Sequence, residues 1–303
     1  MSGPSPERPV RIAVAQYEPH VGEVERNRQL ASRWATAAAD AGAQLVVLPE
    51  LASSGYTFDS VEEAEACAED ADTGATVQAL TSLCRQRGIH VVTGLDERAG
   101  GERYNSAVLL GPSGRLATYR KLHLYNDERS WFAPGGELPL VDLPFGRVGM
   151  IICFDLWFPE AARALALSGA EIVALPTNWV ASFKRTVFDQ HGYCQANYVA
   201  MATAAQNGVV MACADRIGTE RGVPFLGSSI IVAADGWPVA GPASRDGEAL
   251  LVADVDLADV ARSRRRTPRN DLLGDRRPAG YTAVLVSSDQ PSASAPDAVT
   301  VTP

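Results

Sequence analysis

Three side chains that could do chemistry stand where strand-like runs end: Glu50 after LVVLP, Lys121 after LATYR and Cys153 after VGMII. Such runs read as strands, and the ends of parallel strands converge on one crevice in α/β folds. A thiol, a carboxylate and an ammonium brought together there suit nucleophilic catalysis. The sulfur attacks, the carboxylate takes its proton, and the cation holds the oxyanion that develops. Burial would raise the pKa of Glu50 and make it a better base. Beyond Cys153, Pro159-Glu160 and the Ala/Leu-rich segment to Leu167 read as a helix with proline in its first turn. Its positive end is expected to favour thiolate over thiol at Cys153. Against this, a lone strand-end cysteine is ordinarily a small buried apolar side chain. Glu50 or Lys121 alone is ordinarily a surface or ion-pair residue.

Elements must position these groups. Strands are expected over 11–16, 44–48, 90–95, 103–110 and 116–120, then over 138–143, 147–152, 171–175, 209–214, 228–233 and 250–255. Helices are expected over 24–41, 76–87, 159–167, 190–205 and 258–265, with Gly42, Gly88 and Gly208 as stops. Pairs of strands alternate with pairs of helices, twice over. That predicts an α/β fold of two sheets with helices outside, a four-layer arrangement in one domain. Residues 1–9 read as a disordered lead, 10–286 as the domain, and 287–303, rich in Ser, Pro, Ala and Asp, as a disordered tail.

The chain of 303 residues is long enough for a sizeable core, and its 46% hydrophobic and 21% charged residues are those of a globular protein. A net charge of −9 gives no support to a nucleic-acid or anionic-membrane partner. The basic cluster Arg262 to Arg266 reads as a helix end or a clamp for nearby acids. Five cysteines without CxxC spacing argue against a disulfide framework or zinc site and suit a reducing cytoplasm, the expected location. No apolar run approaches the ~20 residues that span a bilayer. The acidic run from Glu62 to Asp72 follows Glu50 closely. It reads either as a solvated helix face or as a barrier to anionic ligands at a pocket mouth.

Glu50 in PELASSGY, Lys121 in YRKLHLY and Cys153 in IICFDLWFPE, in this order, resemble the three signature blocks of the nitrilase superfamily, the carbon–nitrogen hydrolases. The resemblance covers about residues 10–285, including TNW at 177–179 and FLGSSIIVAADG at 225–236. It implies an αββα sandwich, a Glu-Lys-Cys triad and a second glutamate, for which Glu128 stands in the matching place. The oxyanion would also meet the N–H of Phe154, with Tyr56, Trp131, Trp157, Asn178 and Trp179 as candidate substrate-binding residues. No metal or organic cofactor is implied. The expected activity is hydrolysis of a small uncharged carboxamide, since Leu156 and Trp157 offer no cation for a carboxylate. The alternatives are a nitrilase, an N-carbamoyl amine hydrolase, acyl transfer from the same thioester, and a silent scaffold. A cysteine–histidine pair using His123 or His191 stays open. The expected assembly is a homodimer or higher homo-oligomer, through the alanine-rich helices after Cys153 and over 190–205.

Overall fold

The structure is a computed structural model and describes residues 6–181 and 187–285. Two six-stranded sheets are stacked. The first runs Ala249–Asp256, β1 (Pro9–Gln16), β2 (Leu45–Val47), β3 (His90–Ala99), β4 (Glu102–Gly111), β5 (Gly114–Arg120). The second runs β6 (Leu140–Leu143), β7 (Gly146–Met150), β8 (Ile172–Pro176), β9 (Val210–Ala214), Ile230–Val232, Pro238–Ala240. Both have one design: an antiparallel edge strand, three parallel strands, then two antiparallel strands. The duplication is one of topology and leaves little trace in residue identity.

Parallel strands need both faces covered, and the sequence provides for it. In β1, Ile12 and Val14 point into the core between the sheets, while Ala13 and Ala15 face the outer helices. Those helices are α1 (Val24–Asp40) and α3 (Ala75–Arg87), which bury Ala31, Ala35 and Ala38, and Val77, Leu80 and Cys84. The short α2 (Val61–Cys67) and α4 (Glu128–Trp131) lie in loops near the site. On the second sheet α5 (Pro159–Leu167) and α6 (Gln195–Asn207) turn Ala161, Ala162, Leu165, Ala196, Ala200 and Ala204 inward. Small residues let the helices sit close, and each larger aliphatic side chain removed from water adds about 1.5–3 kcal/mol. The four expected layers are present.

Three expectations are revised. The helix expected from residue 190 starts at Gln195. Asp189 accepts the N–H groups of His191 and Tyr193, and Gly192 takes φ +82, so residues 189–194 form a turn. The acidic run is helical only over α2, with Ser60 accepting the N–H of Glu63 at its N-cap. The folded chain begins before residue 10: Pro9 opens β1, and Arg8 pairs with Glu171 below the second sheet at 2.5 Å. The expected tail, 287–303, and residues 1–5 lie outside the described residues. Within the basic cluster, Arg264 and Arg266 donate to the carbonyls of Asn207 and Ala205 at the C-terminus of α6, where a cation is favoured.

Candidate active site

Strand β7 ends at Met150, and Cys153 opens a 3-10 helix, Cys153–Trp157, that leads into α5. Cys153 has φ +44, a left-handed conformation costing a side-chain-bearing residue about 1–3 kcal/mol, so its surroundings must hold it there. Asp155, fully buried, does so. It accepts the Ile152 N–H at 2.9 Å, the Tyr119 hydroxyl at 2.6 Å, and the His123 N–H and Nδ1 at 3.0 and 2.8 Å. Tyr119 and His123 flank Lys121 in the chain. One carboxylate therefore ties the cysteine turn to the end of β5. His123 is committed to this bond and to stacking on Phe158 at 3.6 Å, and His191 sits in the exposed 189–194 turn.

Lys121 has no exposed surface, and its Nζ donates to Glu50 Oε1 at 2.6 Å and Glu128 Oε1 at 2.7 Å. Asn105 Nδ2 also donates to Glu50 Oε1, at 2.7 Å. Glu50 Oε2 is buried with no partner, so one carboxylate oxygen is held and the other is open. The Tyr56 hydroxyl donates to Glu128 Oε1 at 2.7 Å, and the Tyr125 N–H to its Oε2 at 3.1 Å. Gly94 of β3 makes this packing possible. A Cβ there would meet Leu51 N at 2.2 Å and Pro49 O at 2.5 Å, where the Glu50 loop lies on the strand.

Burial pulls the Lys121 pKa down, but the carboxylates of Glu128 and Glu50 outweigh it and keep the ammonium charged above the usual lysine range. Burial raises the Glu128 carboxyl, against the pull of Lys121. Burial also pushes the Cys153 thiol well up, the Glu50 charge adds to this, and Lys121 opposes it. The expected thiolate is thus corrected. The 3-10 turn supplies too little dipole to offset burial beside a carboxylate. These influences favour the thiol over the thiolate, so a proton must leave as the sulfur reacts. Phe154 is in the first turn of that helix, where N–H groups have no intrahelical acceptor, so its N–H can face an oxyanion.

Cys153 opens onto a cavity of about 140 Å³ lined by Phe154, Trp157, Asn178, Trp179 and Leu226, among others. The Asn178 amide is 2% exposed, and neither its Nδ2 nor its Oδ1 has a partner. Its neighbour Trp179 is fixed, its N–H bonded to Asp215 and its carbonyl accepting from Leu226. Through Tyr125, Val180 and Ala181 this cavity meets a second of about 300 Å³, lined by Tyr56, Glu128 and Trp131. All ten residues expected at the site are therefore gathered here. Tyr56 does more than line it, because its hydroxyl holds Glu128. Among the described residues no Lys or Arg lines either cavity, and neither does any acid from 62–72. Glu63 pairs with Arg221 and Asp72 with Arg115, so that run is no barrier at the mouth. Asn105 and Asp155 were not anticipated. For Asp155 the signal was a lone charged residue inside the apolar run ICFDLW, since a polar group buried there needs a partner.

The sandwich is that of nitrilase-superfamily amidases. A crystal structure of an amidase from Nesterenkonia sp. matches with TM-score 0.73 and 28% identity over 91% of this chain and 96% of that one. The chain belongs to the carbon–nitrogen hydrolase family, whose model matches residues 11–265. It is 38% identical over 273 residues to a nitrilase of Pyrococcus abyssi, covering 90% of this chain and 99% of that protein. It is 36% identical over 267 residues to an (R)-stereoselective amidase of Pseudomonas sp., covering 84% and 90%. The protein is a carbon–nitrogen hydrolase.

Proposed function

We propose that the protein hydrolyses a small uncharged carboxamide to its acid and ammonia through a thioester on Cys153. Glu50 Oε2 takes the thiol proton as Sγ bonds to the amide carbon. The carbonyl oxygen becomes an oxyanion held by Lys121 Nζ and the Phe154 N–H. Glu50 passes the proton to nitrogen, the C–N bond breaks and ammonia leaves. Water then gives a proton to Glu50 and its hydroxide to the thioester carbon. The C–S bond breaks, the acid departs and Cys153 regains its proton.

The observation that carries the amide reading is Asn178, with an unpartnered donor and an unpartnered acceptor in a cavity that no charged side chain lines among the described residues. With its carbonyl oxygen on Lys121 and Phe154, a carboxamide still offers an N–H to Asn178 Oδ1. A nitrile offers only an acceptor and would leave Asn178 Oδ1 buried and unpaired, a penalty sites use for discrimination. The cavity size suits a small acyl group, and one structure of the Nesterenkonia sp. AN1 amidase is a complex with acrylamide. The test compares the amide, the nitrile and the N-carbamoyl amino acid of one side chain by ammonia release. The amide should have the highest kcat/KM. Equal or better turnover of the nitrile, or of the anionic carbamoyl compound, would overturn the reading.

A further inference from the structure

A buried charged pair far from Cys153 in the chain reaches the site through Tyr56. Residues Thr219–Glu220 and Val223–Pro224 form a small hairpin beside the Glu50 loop. Glu220 is 6% exposed, and four donors meet its carboxylate. Its Oε2 accepts the Tyr56 N–H at 2.8 Å, the Thr57 N–H at 2.7 Å and the Thr57 hydroxyl at 2.9 Å. Its Oε1 accepts Arg216 Nη1 at 3.2 Å. Arg216, 1% exposed, is itself fixed by a 2.6 Å bond to the Pro19 carbonyl and by lying 4.0 Å over the Phe225 ring. The Tyr56 ring packs edge-on against the same Phe225 at 5.9 Å. Gly55 permits the approach: a Cβ there would meet Glu220 Oε1 at 2.9 Å and Val21 Cα at 2.3 Å.

We propose that Glu220 is a positioning residue for catalysis: it fixes the Tyr56 peptide so that the Tyr56 hydroxyl holds Glu128 against Lys121. The continuous path is Arg216, Glu220, the Tyr56 backbone, the Tyr56 hydroxyl, Glu128 Oε1 and Lys121 Nζ. A carboxylate that captures two successive peptide N–H groups sets the direction of the side chain between them. Among the described residues the Tyr56 ring has no other hydrogen-bond partner than Glu128, so its aim at that carboxylate depends on its peptide. The inference rests on the reading of Lys121 as the oxyanion cation, and it assigns to the second half of the chain a grip on a loop of the first half.

The test is a double-mutant cycle of Glu220→Gln and Tyr56→Phe, with kcat and KM measured on whichever C–N substrate the wild type turns over. Each single variant should lower kcat about 10- to 100-fold, the scale of a sub-ångström to 1 Å misplacement, with KM changing less. The double variant should be no slower than the slower single. Multiplying losses, or a Glu220→Gln enzyme with unchanged kcat and only a lower Tm, would overturn the proposal. If Glu220→Gln does not fold, Thr57→Val removes one donor to Glu220. It should give a smaller loss that vanishes in the Tyr56→Phe background, and a loss that persists there would count against the proposal. The rate of Cys153 alkylation by iodoacetamide is read in parallel and should show the same non-additivity. A wild type active on nitriles alone would sink the amide reading and leave this cycle fully readable.

Discussion

Lys121 is a cation sealed from water between two carboxylates, and that arrangement is costly unless each member stays charged and bonded. Its two partners are not equivalent. Glu128 has both oxygens engaged, by Lys121, Tyr56 and the Tyr125 N–H, whereas Glu50 has one oxygen engaged and one open. The open oxygen is free to carry a proton, which supports the proposed roles of Glu50 as base and Glu128 as anchor. Cys153→Ala should abolish hydrolysis with the fold intact. Glu50→Gln should keep the bond to Lys121 and lose the base, costing several orders of magnitude in kcat. Lys121→Met removes an oxyanion donor, typically about 100- to 1,000-fold in rate, and leaves two buried carboxylates unpaired, at about 3–5 kcal/mol of stability. Ammonia release and urea unfolding measured on the same samples separate the two losses. A Lys121→Met enzyme with near-normal kcat would refute the assignment.

At the scale of elements, four chain exits build the site, after β2, β5, β7 and β8. Three were legible in the sequence because each follows a strand-like run and ends on a side chain that can do chemistry. The fourth, carrying Asn178, was reached through resemblance alone. Side-chain ties between exits were not legible, because Asp155 to Tyr119 and Glu220 to Tyr56 join residues 36 and 164 positions apart. No local period records such a pairing. The upward push on the Cys153 thiol was not legible for a related reason: helix position is visible in a sequence, but burial beside Glu50 is not. Asp215, at the exit of β9, shows the same long-range wiring. It is fully buried and accepts the N–H groups of Trp179, Arg216 and Ser228. Burial nevertheless pushes its carboxyl up, from an ordinary 3.8 to about 7. The folded state thus binds the proton more tightly than the unfolded chain. This contribution to stability is complete below about pH 3.8 and is lost as pH rises through about 7. Urea midpoints measured across that window should fall more steeply for the wild type than for Asp215→Asn, which has no proton to lose. Parallel slopes would show that Asp215 does not titrate there.

For the whole molecule, the repeated sheet design puts two helices on each outer face, and the two faces differ. On the second, most alanines of α5 and α6 turn inward against the sheet, while Ala164 and Ala202 stay exposed. These helices and the turn before them also show larger side chains to solvent: Trp157 at 40% exposure, Leu167 at 44% and Tyr198 at 47%. If these exposed side chains form a contact surface, a two-fold dimer is the simplest closed way to cover it. Trp157 also lines the Cys153 cavity, so pairing over this face would fix one wall of the site. The expectation is a homodimer of twice the 32.2 kDa chain mass at micromolar concentration. Tyr198→Glu, which places a charge on the exposed face of α6 without touching the core, should shift light scattering to the single-chain mass. It should also raise KM more than it lowers kcat, because Trp157 loses its cover while Glu50, Lys121 and Cys153 keep their bonds. A wild type that scatters as a single chain, or a Tyr198→Glu variant that stays paired, would remove this face from the assembly.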